Sequence, residues 1–292
     1  MHPFPLRYVD GLPRPPRSLV MGVLNVTPDS FSDGGRYLDP ARALEHGRRL
    51  VADGADLVDI GGESTRPGAR RPSEDEELQR VLPVIEGLAG DGVLVSVDTM
   101  RARVAEVALG AGAVLVNDVS GGRADQEMLP MVARLRAPYV LMHWRAHAEE
   151  MSRHTSYVDV VEDVAAELAE QLEVARRAGV EPGRIAVDPG IGFSKTADQN
   201  WAVLAGMARL HDLGHPVLVA TSRKRFLGTL LADERGEPRP PGERDDATTA
   251  TTALAAVAGA WCVRSHAVRS TADAVRVASR WAAASSEDPA RA

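Results

Sequence analysis

Residues 94–117 read LVSVDTMRARVAEVALGAGAVLVN, and their pattern decides the fold class. The two ends of this stretch, Leu94–Asp98 and Val114–Asn117, are short apolar runs rich in valine, as expected of parallel strands buried on both faces. Between them, apolar residues of the segment Val104–Ala111 recur at the i, i+3, i+4, i+7 spacing of an amphipathic helix. The stretch therefore predicts a strand, a helix and a second strand parallel to the first.

The same unit recurs along the rest of the chain. The six further strand candidates are Leu19–Val26, Leu57–Gly61, Tyr139–Met142, Ile185–Asp188, Pro216–Thr221 and Trp261–Arg264. Segments with helical spacing separate them, and Asp39 before Pro40 and the pair Ser73 and Glu76 offer N-terminal helix caps. Eight such units favour an α/β fold with a single (β/α)8 TIM barrel over a doubly wound open sheet, which is built from the same unit.

No domain boundary interrupts this pattern. We expect residues 1–17 to form an N-terminal extension, residues 18–283 the barrel, and residues 284–292 a disordered tail. The proline-rich segment Ala232–Asp245 is predicted as a polar loop between the seventh strand and its helix. The segment Thr248–Ala258 is rich in threonine and small residues, which fits either a tightly packed core helix or the contact face of a dimer. We expect a homodimer.

The composition is that of an acidic globular protein. The 292 residues include 34 Lys and Arg against 41 Asp and Glu, a formal charge of −7, which argues against nucleic acid or an anionic membrane as the main partner. The first 18 residues contain no apolar stretch long enough for a signal peptide, and no apolar run is long enough for a membrane span. The single cysteine, Cys262, allows no disulfide within the chain. We therefore expect a cytoplasmic protein.

Polar side chains stand at the C-terminal ends of the predicted strands, where TIM barrels carry their chemistry. In chain order they are Asn25, Asp59 with Glu63, Asp98, Asn117 with Asp118, His143, Asp188, Ser222 to Arg225, and Arg264 with His266. The carboxylates suit a ligand with a fork of N–H donors, such as a 2-amino-pyrimidinone ring, and the cations suit an anion such as pyrophosphate. The amide oxygen of Asn25 suits Mg²⁺. The pattern indicates a heterocycle with a phosphate-type leaving group, without identifying the ring.

Two long loops follow the first two strands. Thr27–Asp39 and Gly61–Pro72 are rich in glycine, serine, proline and charge, which predicts mobile lids over the barrel mouth, with ordinary connecting loops as the alternative. Phe31 favours the lids, because an aromatic side chain in a glycine-rich loop gains little by staying in water.

Long motifs in this chain resemble those of the dihydropteroate synthase family. Met21–Gly35, MGVLNVTPDSFSDGG, is similar to the family's first signature, and Asp59–Ala69, DIGGESTRPGA, is similar to its second. Further matches are SVDT at 96–99, VNDVSGG at 116–122, LMHWR at 141–145, DPGIGFSKT at 188–196, TSRKRFLG at 221–228 and the pair Arg264 and His266. The resemblance runs from about residue 18 to 281 and implies an enzyme that joins a pterin pyrophosphate to para-aminobenzoate.

The resemblance implies a role for each matching position. The implied pterin contacts are Asp98, Asn117, Asp188 and Lys224, with Met142 packed on the ring. The implied pyrophosphate site consists of Arg264, His266 and Asn25, which is also the implied Mg²⁺ ligand. The loop residues implied to assemble over the two substrates are Phe31, Asp33, Thr65, Arg66 and Pro67. Phe193 and Arg225 are implied as further walls of the aminobenzoate site, and Asp33, Arg66 and Lys224 as catalytic residues.

The implied reaction is displacement of pyrophosphate from the exocyclic CH₂ of the pterin by the arylamine. An arylamine is uncharged near neutral pH, so the motifs need no Ser-His-Asp triad, and they suggest none. Loss of the leaving group is the difficult part, and Mg²⁺ with Lys224, Arg264 and His266 can offset its charge. If the CH₂ becomes cationic, Asp33 is placed to stabilise it.

Three positions depart from the family pattern, and two other functions stay open. Ala220 stands where glycine is usual, and Ser265 and Ala267 stand where valine and aspartate are usual. One rival is a related barrel that transfers a methyl group from a pterin or folate to a corrinoid, which should lack the phosphate-directed cations. The other is a pterin-binding paralogue without catalysis, a possibility that Ser265 and Ala267 keep open.

Overall fold

The computed structural model describes residues 6–27, 39–63, 71–147 and 149–286. Its strands are β1 Leu19–Asn25, β2 Leu57–Gly61, β3 Val95–Asp98, β4 Leu115–Asp118, β5 Tyr139–Met142, β6 Ile185–Asp188, β7 Leu218–Val219 and β8 Cys262–Ser265. All neighbours pair in parallel, in the order β6-β5-β4-β3-β2-β1-β8-β7. A parallel bridge between Val187 and Val217 joins β6 to the segment before β7 and completes the ring. The predicted (β/α)8 TIM barrel is confirmed, and the open sheet is excluded.

Helices surround the ring of strands. They are α1 Pro40–Ala52, α2 Glu74–Gly90, α3 Ala102–Gly110, α4 Met128–Leu135, α5 Val160–Arg177, α6 Ala197–Ala205, α7 Met207–His211, α8 Arg225–Leu230, α9 Asp245–Val257 and α10 Val268–Ser286. Both predicted caps form: the Asp39 side chain accepts from the backbone N–H of Ala41, and Ser73 and Glu76 make a reciprocal capping box. None of the described helices is long and apolar enough to cross a bilayer.

The helix after the seventh strand differs from the prediction. A six-residue helix, α8, begins directly after Lys224, so the polar segment 232–245 connects α8 to α9 and does not follow the strand itself. The helix was missed because six residues hold fewer than two turns, too few to establish a helical period.

Alternation along the strands divides the core into two apolar layers. Inward-facing residues such as Met21, Leu115 and Ala186 fill the barrel, and outward-facing neighbours such as Val20 and Val116 pack against the helices. Val9 and Leu12 of the N-terminal segment belong to the inner cluster, so this segment packs against the barrel interior. By the same alternation, polar residues near the strand ends such as Asp98 and Arg264 point into the barrel. They lie beyond the inner apolar layer, at the mouth of the barrel.

Candidate active site

An arginine shared by two carboxylates lies at the centre of the barrel mouth. Arg264 of β8 donates from Nε to Asp59 Oδ2 at 2.6 Å and from Nη2 to Asp98 Oδ2 at 2.7 Å. Asn117 Nδ2 donates to the same Asp59 oxygen at 2.9 Å. Side chains from β2, β3, β4 and β8 are thereby joined into one network. Asp59, which the sequence presented only as one strand-end acid among several, is its hub.

This network contains two carboxylates and one guanidinium, so acidic groups are in excess. Asp59 is completely buried, and its Oδ1 has no hydrogen-bond partner among the described residues. Burial raises the pKa of Asp98, and the nearby Asp59 carboxylate raises it further while Arg264 opposes the shift. Burial alone would lower the pKa of Arg264, but the two carboxylates outweigh it and hold the guanidinium charged. A ligand that donates N–H groups here would relieve the excess of negative charge.

A second group of site residues surrounds the loop that follows β6. Asp188 is 4% exposed, and its Oδ1 accepts from the backbone N–H of Gly190 at 2.7 Å. Lys224 Nζ donates to the carbonyl of Ile191 and lies 4.8 Å from the centroid of the Phe193 ring. Burial raises the pKa of Asp188, with Lys224 opposing, and burial lowers the pKa of Lys224 to about 8, with Asp188 opposing. Asp188 and Lys224 are therefore close enough to influence each other's ionisation, with Asp188 buried and Lys224 half-buried.

A small apolar surface completes the mouth. Met142 clusters with Met100 and Val119, apart from the two main core layers, and Phe193 and Trp144 pack against this cluster. A flat ring that rests here would have apolar side chains beside it and the polar side chains of the strand ends around its edge.

The residues predicted to bind an anion do not share one environment. His266 Nδ1 lies 2.9 Å from Ser222 Oγ, and the same oxygen accepts from the His266 backbone N–H. If the hydroxyl donates to Nδ1, the imidazole carries its proton on Nε2, where it can donate to an anion. Arg225 is exposed at the first position of α8. Arg223, by contrast, is paired with Asp245 at 2.7 Å and belongs to the scaffold.

Asn25 ends β1 at the rim of the site. Across the sheet, β1 pairs Asn25 with Gly61, and β2 pairs Gly61 with Asp98. A Cβ added at Gly61 would lie 3.5 Å from both Asn25 Oδ1 and Asp98 Cβ, so the amide oxygen and the carboxylate stand close together. Hard oxygen donors of this kind suit Mg²⁺. Within the described residues no group of three or more His, Cys, Asp or Glu could enclose a metal, so an ion here would also need water or substrate oxygens.

Several strand-end polar residues serve the scaffold. Asp118 is fully buried and accepts from Ser120, Gly122 and the Tyr139 hydroxyl. Glu63 forms ion pairs with Arg71 and Arg101. Their presence at strand ends follows from loop and helix requirements rather than from ligand binding.

Two of the three departures from the family pattern, Ser265 and Ala220, are buried in packed layers of the barrel. Ser265 is fully buried and alternates with Arg264 and His266 along the strand, so it faces the helix layer, where its Oγ accepts from the N–H of Ala267. Ala220 is 6% exposed within the inner apolar cluster. The positions predicted in the two long loops lie outside the described residues: Phe31, Asp33, Thr65, Arg66 and Pro67.

Known proteins resemble this chain over most of its length. The family model described as "Pterin binding enzyme" matches residues 21–266. The dihydropteroate synthase of Mycobacterium leprae is 53% identical over 263 residues, which cover 90% of this chain and 93% of that protein. The structure of dihydropteroate synthase from Xanthomonas albilineans with 4-aminobenzoic acid aligns with a TM-score of 0.83 and 44% identity, covering 94% of each chain.

A second structure of the Xanthomonas albilineans enzyme, in complex with 7,8-dihydropteroate, aligns with a TM-score of 0.81 and 42% identity, covering 94% of this chain and 95% of that one. Family match, sequence identity and fold agree with the polar barrel mouth described above. This chain belongs to the pterin-binding enzyme family, among the dihydropteroate synthases.

Proposed function

We propose that this protein condenses 6-hydroxymethyl-7,8-dihydropterin pyrophosphate with para-aminobenzoate, giving 7,8-dihydropteroate and pyrophosphate for folate synthesis. The observation that carries the proposal is the convergence of Asp98, Asn117, Asp188, Lys224 and Arg264 on one barrel mouth. The two acids, the amide and the lysine are residue types that suit the edge of a pterin, and Arg264 suits its pyrophosphate. The five residues come from five different strand ends.

The proposed pterin site combines an apolar floor with a polar rim. Met142 and its apolar neighbours contact the ring face, while Asp188 and Asn117 bind its N–H and carbonyl groups. Asp188 is already oriented by the Gly190 N–H, so little conformational entropy is lost when the pterin binds. We place para-aminobenzoate beside Phe193, with its carboxylate toward the exposed guanidinium of Arg225.

The chemistry requires a stabilised leaving group more than a base. The arylamine nitrogen attacks the CH₂ carbon, the bond from that carbon to oxygen breaks, and the displaced proton passes to solvent or to pyrophosphate. Lys224, Arg264 and His266 offset the charge that develops on pyrophosphate. Arg264 is held by Asp59 and Asp98, so its position is set before the substrate arrives. We assign Asp33 to stabilising positive charge on the CH₂, and Arg66 to the pyrophosphate.

The direct test is an assay of the purified protein with both substrates, following dihydropteroate and pyrophosphate together. We expect equal amounts of the two products. Release of pyrophosphate without dihydropteroate, or tight pterin binding without any turnover, would contradict the proposed activity and favour a pterin-binding protein without this chemistry.

We also propose that Mg²⁺ binds at Asn25. When bound, the ion neutralises charge on the pyrophosphate leaving group. Excess chelator should abolish turnover and added Mg²⁺ should restore it, while Asn25→Ala should raise the Mg²⁺ concentration needed for half-maximal activity. Full activity in excess chelator would remove Asn25 from this role.

The lid role of Asp33 has its own test. A group that acts only in the closed, reacting state affects turnover more than binding. Asp33→Ala should therefore leave pterin pyrophosphate affinity within a few fold and lower kcat by about 10²-fold or more, the scale of losing one electrostatic stabiliser. An unchanged kcat would mean that this loop covers the site without taking part in the reaction.

Two further proposals concern assembly and cellular location. Leu254 of α9 is 68% exposed and Val277 of α10 is 65% exposed, on two helices that pack against each other. Exposed apolar side chains on two helices that pack together fit a contact between subunits, so we propose a homodimer through α9 and α10. The single cysteine, Cys262, is buried and free, which supports a cytoplasmic location.

A further inference from the structure

Lys195 lies beneath the loop that carries Phe193, and three acceptors surround its ammonium group. Nζ donates to the carbonyl oxygens of Gly190 at 3.2 Å and Phe193 at 3.3 Å, and it lies 3.1 Å from His143 Nδ1. An ammonium has three N–H donors, so each acceptor can be satisfied by one proton. The neutral amine has two donors and a lone pair, which leaves one acceptor unmatched. The charged form is the one that this geometry fits.

An imidazole connects this lysine to a carboxylate. His143 Nε2 lies 2.9 Å from Glu167 Oε2, and burial lowers the pKa of His143 to about 4, so the ring is neutral near pH 7. The neutral ring donates from Nε2 to the carboxylate and accepts at Nδ1 from Lys195. Glu167 is also paired with Arg145, whose guanidinium lies 3.7 Å from the centroid of the Tyr157 ring. The arrangement is a lysine–histidine–glutamate chain that ends in an ion pair.

Two lysines hold the same loop from its two sides. Lys195 Nζ donates to the carbonyl oxygens of Gly190 and Phe193, and Lys224 Nζ donates to the carbonyl oxygen of Ile191. Gly190 and Gly192 adopt positive φ values of 66° and 81°, and the carbonyl of Gly190 faces Lys195 while that of Ile191 faces Lys224. The loop begins at Asp188 in the proposed pterin site and reaches Phe193 in the proposed aminobenzoate site.

We propose that Lys195 is a positioning residue that sets the place of Phe193 and thereby the affinity for para-aminobenzoate, an inference that rests on the proposed function. Its ammonium group contacts the Phe193 backbone through the carbonyl oxygen. Lys195 is not one of the residues at the strand ends that we assign to pterin binding. Loss of its charge leaves one of its three acceptors unmatched, and the Phe193 carbonyl, at 3.3 Å, is the most distant of them. The ring that bounds the aminobenzoate site is then less well fixed. The pterin contacts Asp98 and Asn117 lie on β3 and β4, away from this loop.

The charges around Lys195 should make the KM for para-aminobenzoate depend on pH. Burial lowers the pKa of Lys195 to about 7; Asp188 and Glu167 raise it, whereas Lys224 and Arg145 lower it. The other groups around it, His143 and Tyr157, remain neutral near pH 7, since the pKa of Tyr157 is raised to about 12. Lys195 is charged at lower pH and loses its proton as the pH rises. The KM for para-aminobenzoate should therefore rise with pH through neutrality.

The test uses two variants that break the same ion pair. Glu167→Gln removes a negative charge, lowers the pKa of Lys195 and should move the rise in KM to lower pH. Arg145→Gln removes a positive charge, raises that pKa and should move the rise to higher pH, each by roughly half a pH unit or more. A purely structural role for the Arg145–Glu167 pair would change both variants in the same direction. Neither charge is among the groups that shift the pKa of Lys224, so the comparison separates Lys195 from Lys224. Both charges also act on His143 and Tyr157, but these two groups remain neutral near pH 7.

Lys195→Met supplies the second measurement. It should raise the KM for para-aminobenzoate about tenfold at pH 6.5, remove its dependence on pH, and leave kcat within about threefold, as expected from losing hydrogen bonds of a charged group. Shifts of the two glutamine variants in one direction, or an unchanged KM in Lys195→Met, overturn the proposal. Absence of dihydropteroate from the unsubstituted protein would instead refute the proposed function, so the two failures are distinguishable.

Discussion

Residues of one type serve opposite purposes at this barrel mouth, and their partners decide which. Asp188 and Asp118 are both buried carboxylates at strand ends. Asp118 is surrounded by protein donors, including the hydroxyls of Ser120 and Tyr139. Asp188 accepts from the Gly190 N–H and faces Lys224 across the site. A carboxylate whose donors all come from the protein stabilises the fold, whereas one with few protein donors is available to a ligand.

This contrast predicts opposite effects of the same substitution. Asp188→Asn replaces an acceptor with a donor in the pterin site, which should weaken pterin binding by about 2–5 kcal/mol and leave the melting temperature nearly unchanged. Asp118→Asn replaces a carboxylate oxygen with an NH₂ group that would meet the N–H and O–H groups now bonded to Asp118. The free energy of unfolding should fall by about 2–4 kcal/mol, and pterin affinity should stay unchanged. Calorimetry and denaturant unfolding of both variants provide the comparison. Loss of affinity in Asp118→Asn, or none in Asp188→Asn, would reverse the assignment.

His143 makes a separate prediction about stability in acid. An unfolded histidine titrates near pH ~6.5. Burial lowers the folded pKa to about 4, so as the pH falls below the unfolded value the unfolded chain takes up a proton that the folded protein does not. Stability is therefore lost as the pH falls, by about 2 kcal/mol at pH 5. His143→Gln, which can still donate to Glu167 and accept from Lys195, should lose less stability between pH 7 and pH 5 by about that amount. Equal losses in urea unfolding would show that this histidine does not titrate as described.

At the scale of elements, the loop after β6 shows how backbone geometry places a side chain. Gly192 has φ +81°, and a Cβ there would lie 2.7 Å from Lys224 Cδ. Gly214 has nearly the same φ, +80°, but an added Cβ would meet nothing within 4 Å. Both alanine variants carry the same backbone strain, on the order of 1 kcal/mol, and only one displaces Lys224.

Gly192→Ala should therefore lower the affinity for pterin pyrophosphate by about tenfold or more, whereas Gly214→Ala should lose only stability. Pterin binding by calorimetry, with the melting temperatures of both variants, separates the two effects. Equal affinities in the two variants would mean that Lys224 can move aside without loss and does not grip the pterin.

Sequence predicted the strands well, because parallel barrel strands are continuous apolar runs whose ends are marked by polar residues. Observed and predicted ends agree closely at β2, β5 and β6. The partners within the site were not predictable in the same way. Arg264 and Asp59 are 205 residues apart, and Lys195 and His143 are 52 apart, so no local spacing signals either contact. One feature of the sequence does indicate that Asp59 is paired: it is an acid within the apolar run Leu57–Gly61. A buried acid is seldom found unless it has a partner.

The proposed homodimer can be tested by introducing charge at its interface. Leu254→Glu together with Val277→Glu places two carboxylates on the exposed faces of α9 and α10 and should convert a dimer to a monomer in light scattering. Leu230→Glu is the matched control, because Leu230 is 63% exposed but lies on α8. A dimer that survives the double substitution, or a control that dissociates equally, would place the interface elsewhere.

The proposed reaction displaces pyrophosphate at carbon with an arylamine as the nucleophile. The most direct test uses pterin pyrophosphate that carries oxygen-18 in the bridge between the CH₂ and the phosphorus, incubated with para-aminobenzoate, Mg²⁺ and the purified protein. If the carbon–oxygen bond breaks, mass spectrometry should find the label in the released pyrophosphate, with one dihydropteroate formed for each pyrophosphate. Label retained in a hydroxymethyl pterin, with no dihydropteroate formed, would mean attack at phosphorus and would contradict displacement at carbon.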